Sequence, residues 1–367
     1  MSASKVRATR RAMTGFSIVE LMVAMTLSLV LMAGALSILY STKLTSAENE
    51  RVARVQEAGR TAFELILQDT RAAGYVGCAK TLVDTHTTPP ASTFSNGLTS
   101  AALLWNFGQA VYGFHATSST AWTPALDTTA IPATPAPVGG SDVLVLRAAR
   151  PGAPIFRTNA TFAASADVPV DRDSNADPLH TGDPVIISDC RGAAAFVVTG
   201  YTPSGTTATI SHSAAAGTPQ NSSANLPRAF GIGSVVQPVQ TVVYYIASCA
   251  AVGTNCSGGA TPPGLWQIVG SKAPQEIIQG VVAMQVMYGV DTDADLLANT
   301  YKTADQVTDW STVVSVNIAV LAQSVTETGV EVDKRTYNLL GTNYGPYNDR
   351  RQRSVFTTTI TLRNDTT

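Results

Sequence analysis

Glu20 is the first residue of this chain whose position calls for a chemical explanation. It is followed by twenty uncharged residues, Leu21 to Tyr40. A carboxylate in a membrane-length apolar segment costs about 2.5–3.5 kcal/mol on insertion scales and is by default a functional group with a partner. The chemistry open to Glu20 is a short-range ion pair with a neighbour's positive end in a low dielectric. A second acidic group is Asp291, Asp293 and Asp295, at alternate positions behind Gly289-Val290. Hard oxygen ligands so spaced open a calcium loop. An EF-hand also needs glycine at the sixth position and glutamate at the twelfth, where this chain has Leu296 and Lys302. The expectation is a plain solvated turn or a non-EF calcium site on a surface loop, with no other cofactor.

Four cysteines follow the apolar run, Cys78, Cys190, Cys249 and Cys256. On an oxidising side of a membrane two disulfides are the economical reading. Cys249 with Cys256 would close a short Gly/Asn/Thr loop, and Cys78 with Cys190 would tie a helix exit to a sheet; the spacing alone leaves the connectivity open. With no Cys-x-x-Cys, metal binding is the poorer reading. His86, His115, His180 and His212 lie in separate loop-like stretches with no ligand spacing and read as surface residues. Gly-x-Ser-x-Gly, Gly-x-x-x-x-Gly-Lys and His-Glu-x-x-His are all absent from the sequence, so no catalytic residue is assigned and an enzyme is not expected.

These groups need elements to hold them. Lys5, Arg7, Arg10 and Arg11 all precede Gly15, and no acid does. Basic residues ahead of an apolar run keep that end in the cytoplasm. Twenty helical residues rise about 30 Å, the thickness of the hydrocarbon core. The run is too long for a cleaved secretory signal, so it reads as one span of the inner membrane with the rest of the chain on the periplasmic side. Past Tyr40 the pattern turns amphipathic, with Val52, Val55, Gly59, Ala62, Phe63 and Ile66 on one face. No proline interrupts Phe16 to Ala73, which predicts a single long helix whose second half packs on a domain. The predicted segments are a leader over 1–15, a transmembrane half-helix over 16–40, an amphipathic half over 41–76 and a β-rich domain over 77–367, with a loop-rich insertion near 80–140.

Apolar residues make up 45% of the 367 and charged ones 14%, so the chain can bury a large core and is not a disordered tail. With 24 basic against 26 acidic residues, no nucleic-acid partner is expected. Runs rich in β-branched and aromatic residues predict strands at Val143–Leu146, Val185–Ile187, Phe196–Val198, Val242–Ile246, Leu265–Val269, Val281–Val290, Val313–Val320 and Val355–Leu362. No repeat of fixed period is visible, which argues against a solenoid or propeller. The fold class is α+β, a long amino-terminal helix laid on a predominantly antiparallel sheet.

A short basic leader, then Gly15-Phe16, then Glu20 five residues past the junction and a long apolar helix resemble the type IV prepilin class. The resemblance implies that a prepilin peptidase cuts after Gly15 and N-methylates Phe16, and that Glu20 serves assembly. The stretch Gly280–Asp291, the strand Val313–Val320 and the closing Arg353–Asn364 are similar to the PilW-type minor pilins. That similarity implies a pilin-like, non-catalytic subunit that helps to prime a type IV pilus near its tip. Its implied partners are other minor pilins, the major pilin and a tip adhesin, and its implied roles are in adhesion and twitching motility. A minor pseudopilin of a type II secretion system, or an anchored adhesin that never enters a filament, would share most of these features.

Overall fold

The computed structural model describes residues 17–74, 77, 83–84, 91–92, 94–99, 102–172, 179–189, 191–214, 217–248, 263–327 and 331–362. The chain divides into two units, Met1–Ala53 and Arg54–Thr367. One helix, α1, Ile18–Ala72, contributes to both.

In the first unit every residue from 17 to 46 is exposed, including Leu21, Met25, Leu29, Leu36 and Leu39. Four of the hydroxyls there, on Thr26, Ser28, Thr42 and Thr45, are satisfied inside the helix. Thr26 and Ser28 donate to the carbonyls of Val23 and Met25, both at 2.9 Å, and Thr42 donates to Ile38 at 2.8 Å. A hydroxyl bonded to its own helix asks nothing of lipid.

In the second unit the helix buries Val55, Gly59, Ala62, Ile66, Asp69 and Thr70. The first four belong to the predicted stripe. The helix ends at Ala72, short of the predicted 76, and Gly74 takes a left-handed φ of 75° while its N–H donates to Arg147 O at 3.0 Å. Only glycine enters that conformation at no steric cost, which is why a helix stops there.

The strand Val235–Ala247 organises a ten-stranded sheet. Its start pairs with Pro184–Asp189, and its end is flanked by Val143–Ala149 and Gly264–Val269, all antiparallel. Phe94–Asn96 on Gly192–Val197 is a parallel pair. A four-stranded antiparallel sheet runs in the order Thr300–Lys302, Val281–Val290, Val313–Gln323, Arg353–Thr361. A three-stranded sheet joins Val168–Asp171, Thr207–Ser211 and Gly200–Ser204. All eight predicted strands are present, several longer than predicted. Within the stretch read as a loop-rich insertion, Phe94–Asn96 and Val111–Ala116 pair into the ten-stranded sheet.

Alternation along the strands sorts the core, because successive side chains point to opposite faces. Leu144, Leu146, Tyr244 and Ile246 meet Ala62 and Ile66 of the helix and Met284, Val286 and Ile318 of the four-stranded sheet. Val143, Val145, Val243 and Tyr245 face the other way, onto Trp105, Phe107, Phe114 and Ile131. The antiparallel α+β organisation is as the sequence predicts.

Candidate functional site

Glu20 lies in the first turn of α1 and is exposed. Ser17 precedes the first helical residue, so Ser17 and Glu20 stand at the spacing of a capping box, three residues apart at the positive end of the helix dipole. The dipole holds a carboxylate there in an isolated helix, and apolar side chains surround it on every turn that follows. Gly15 and Phe16 lie outside the described residues, as do all four cysteines and His86, so the expected cleavage junction and disulfides belong to the sequence alone.

The acidic turn is built as a cradle for one of its own carboxylates. Asp291 Oδ1 accepts the N–H groups of Asp293 at 3.1 Å and Ala294 at 2.8 Å, and Oδ2 accepts Leu296 N at 2.7 Å. These amides hold the Asp291 carboxyl below the usual range against the effect of burial, which would raise it. The ligand atoms of Asp291, Asp293 and Asp295 come within 4.8 Å of one another. Leu296 adopts φ 66° and Ala294 φ 63°. The sixth position of the loop thus makes the sharp left-handed turn for which a calcium loop uses glycine, with a leucine in that place.

Two histidines depart from the surface reading. His115 Nδ1 is 3.0 Å from Asp142 Oδ1, and the hydrogen bond to that carboxylate raises its pKa. Asp142 is 2% exposed and also accepts Ala116 N at 2.8 Å and Val286 N at 2.9 Å, which ties the ten-stranded sheet to the four-stranded one. His212 is 3% exposed, its Nε2 2.9 Å from Ala166 O. His180 is exposed, as expected. Sheet geometry brings His115 and Asp142 together across 27 residues of sequence, which no local spacing signals.

The amphipathic half of α1 carries a polar lock that the stripe analysis omits. Tyr244 donates its hydroxyl to Asp69 Oδ2 at 2.7 Å and accepts Gln267 Nε2 at 2.8 Å. Burial pushes the Asp69 carboxyl and the Tyr244 phenol both upward. Asp69 follows Ile66 by three residues, so it continues the helix face that a purely apolar stripe ends. Gly59 lies beneath the ring of Phe356, where an added Cβ would come within 2.3 Å of the ring.

Two family models match the chain. That of the type IV pilus-assembly protein W covers residues 243–364, and that of the prokaryotic N-terminal methylation motif covers residues 10–36. No curated protein and no solved structure matches it. The first match takes in all of the four-stranded sheet, and the second takes in Glu20 and the apolar start of α1. A prepilin-type amino terminus on one long apolar helix, followed by an antiparallel β domain, is a pilin-like organisation. Together with the matched carboxy-terminal sheet, the two matches support a PilW-like type IV pilin with the cleavage and methylation motif. Processing by a prepilin peptidase and association with other pilins follow from that class, and the apolar helix fits membrane anchoring before assembly.

Proposed function

We propose that this minor pilin acts structurally, as a tip-proximal subunit that primes the filament, and that Glu20 sets its register in the helical bundle. The observation that supports this reading most directly is an acid in the first turn of a helix whose next turns are uncharged, mostly apolar and exposed. In lipid such an acid is destabilising alone and favourable beside a neighbour's terminal ammonium, so its penalty becomes a reason to assemble in register. Cleavage after Gly15 on the cytoplasmic side would create that ammonium on Phe16 of each subunit. Burial of the exposed apolar face against other helices would supply the cohesion. The β domain would lie in the periplasm before assembly and outside the cell afterwards.

Two variants test the proposal. Gly15→Asp is expected to leave the precursor uncut, seen as a larger band on an immunoblot and an amino terminus at Met1 by mass spectrometry. Glu20→Ala is expected to insert into the membrane normally yet fail to enter sheared pili, with Glu20→Gln behaving alike because the charge is the active feature. Normal recovery of Glu20→Ala in filaments would refute the register role. A deletion strain with normal surface piliation would refute priming, and secretion lost in place of pili would point to the pseudopilin alternative.

A further inference from the structure

We propose that the cavity at Arg147 binds a carboxylate group presented to the β domain. The cavity, of about 330 Å³ and open to solvent, is lined by Arg147 together with Asn106, Gln109, Tyr112, Phe114 and Asp127 among others. Arg147 is 3% exposed, in the strand Val143–Ala149. Its terminal nitrogens donate to backbone carbonyls, Leu103 O at 2.6 Å and Gln109 O at 2.9 Å, and its Nε has no partner. Carbonyl dipoles satisfy hydrogen bonds and leave the charge standing. The side chain that acts electrostatically on Arg147 is a phenol, Tyr112, and burial lowers the guanidinium to about 9, so it remains charged at neutral pH. A buried cation with no carboxylate within hydrogen-bond reach carries a standing penalty that an anion bound directly to it relieves.

The cavity wall narrows the class of anion. Asn106, Gln109 and Tyr112 bring side-chain amide and hydroxyl groups that can donate hydrogen bonds. Asp127 is held by Thr129 through its N at 2.9 Å and Oγ1 at 2.6 Å, and although burial would raise its pKa these bonds keep it below the ordinary value, so it stays ionised. One fixed negative charge in the same cavity tolerates a monoanion and opposes a phosphate dianion. The planar fork of guanidinium suits a carboxylate. The inference is independent of the filament role and rests on residues outside both matched segments.

The test uses the full chain in a neutral detergent, titrated with sodium acetate against sodium chloride at constant ionic strength and followed by the ¹⁵N–¹H signals of arginine Nε. Acetate is expected to shift one Nε signal saturably, with chloride inert and sodium phosphate weaker than acetate. Arg147→Met should lose the response. Tyr112→Phe, which keeps the ring 4.6 Å from Trp310, should weaken acetate binding about fivefold, the worth of one hydrogen bond. Asp127→Asn should strengthen phosphate binding. A capped peptide with one internal glutamate that binds at least as tightly as acetate would assign the group to a protein side chain, and acetate alone binding would assign it to a free acid. Equal shifts in acetate and chloride, or an acetate response unchanged in both Arg147→Met and Tyr112→Phe, would overturn the proposal.

Discussion

Two arginines in the β domain, Arg147 in the ten-stranded sheet and Arg353 in the four-stranded one, are buried to the same 3% exposure and solve the problem in opposite ways. Arg353 is neutralised by carboxylates: it reaches Asp349 at 2.6 Å through both terminal nitrogens and Asp333 at 3.1 Å, with Gln323 accepting at 2.7 Å and Tyr347 stacked at 3.8 Å. Arg147 has two carbonyls and no carboxylate among its hydrogen-bond partners. Nε lacks a partner in both, so the difference lies in the charge and not in the count of hydrogen bonds. A closed network of this kind fixes the segment 331–352, which holds the paired strands Tyr337–Leu339 and Thr342–Tyr344, against the edge strand Arg353–Thr361. An open one leaves the domain a place to take up an anion.

The largest effect should come from breaking the closed network. Arg353→Met leaves Asp333, 3% exposed at its side chain, without its buried cation, and such a loss typically costs about 3–5 kcal/mol. Arg147→Met leaves no carboxylate stranded. It forfeits two hydrogen bonds to carbonyls, about 1–3 kcal/mol, offset by the desolvation that it relieves. Urea unfolding of the full chain in detergent compares the two. Equal losses would mean that Arg147 has a counter-ion of its own and would erase the contrast.

Next in size is a difference of sign in pH dependence. Burial alone would raise Asp333, but hydrogen bonds from Arg335, Tyr337 and Arg353 hold it below the ordinary range; the bond from Arg353 is the chief cause lowering Asp349. Groups with depressed folded pKa values stabilise above the unfolded value, near 4, and that contribution is lost as pH falls through the folded values. Asp69 is displaced the other way by burial. Its folded state prefers the proton, so its contribution is favourable in acid and fades as pH rises from near 4 through the raised value. Arg353→Met should therefore flatten the acid limb of the stability profile. Asp69→Asn, which keeps an acceptor for Tyr244, should remove the decline on the neutral side and gain up to about 1 kcal/mol at pH 7. An unchanged acid limb in Arg353→Met would show that the network carries no linkage.

How far the sequence reaches is set by the range of the interactions it encodes. The helix face at Val55, Gly59, Ala62 and Ile66, the strand Val281–Val290 and Glu20 are local patterns, and periodicity or a charge in an apolar run reveals them. Asp69 with Tyr244 lies across 175 residues of sequence and Arg353 with Asp333 across 20, joined only when strands register. Arg147 is less legible still. In Val143–Ala149 it reads as one polar residue closing an apolar strand, and only the cavity around it gives the charge a meaning. The short strands Val168–Asp171 and Thr207–Ser211 escape notice because proline, threonine and serine dilute their alternation.

The smallest effect belongs to the acidic turn, where a negative cradle poses the reverse of the problem at Arg147. Asp291 has already spent both oxygens on three amides, yet that same bonding sets Leu296 in the left-handed turn that a calcium loop requires. Asp293 and Asp295 are exposed and add charge without glutamate at the twelfth place. Calcium affinity near the millimolar end of extracellular modules is the expectation. Ten millimolar calcium should then raise the melting temperature by about 1–2 °C over magnesium at equal ionic strength. The rise should vanish in Asp293→Asn/Asp295→Asn. Identical melting in the two ions would make the turn a self-contained hydrogen-bonded loop, and would confine the contrast in ligand-seeking charge to the two arginines.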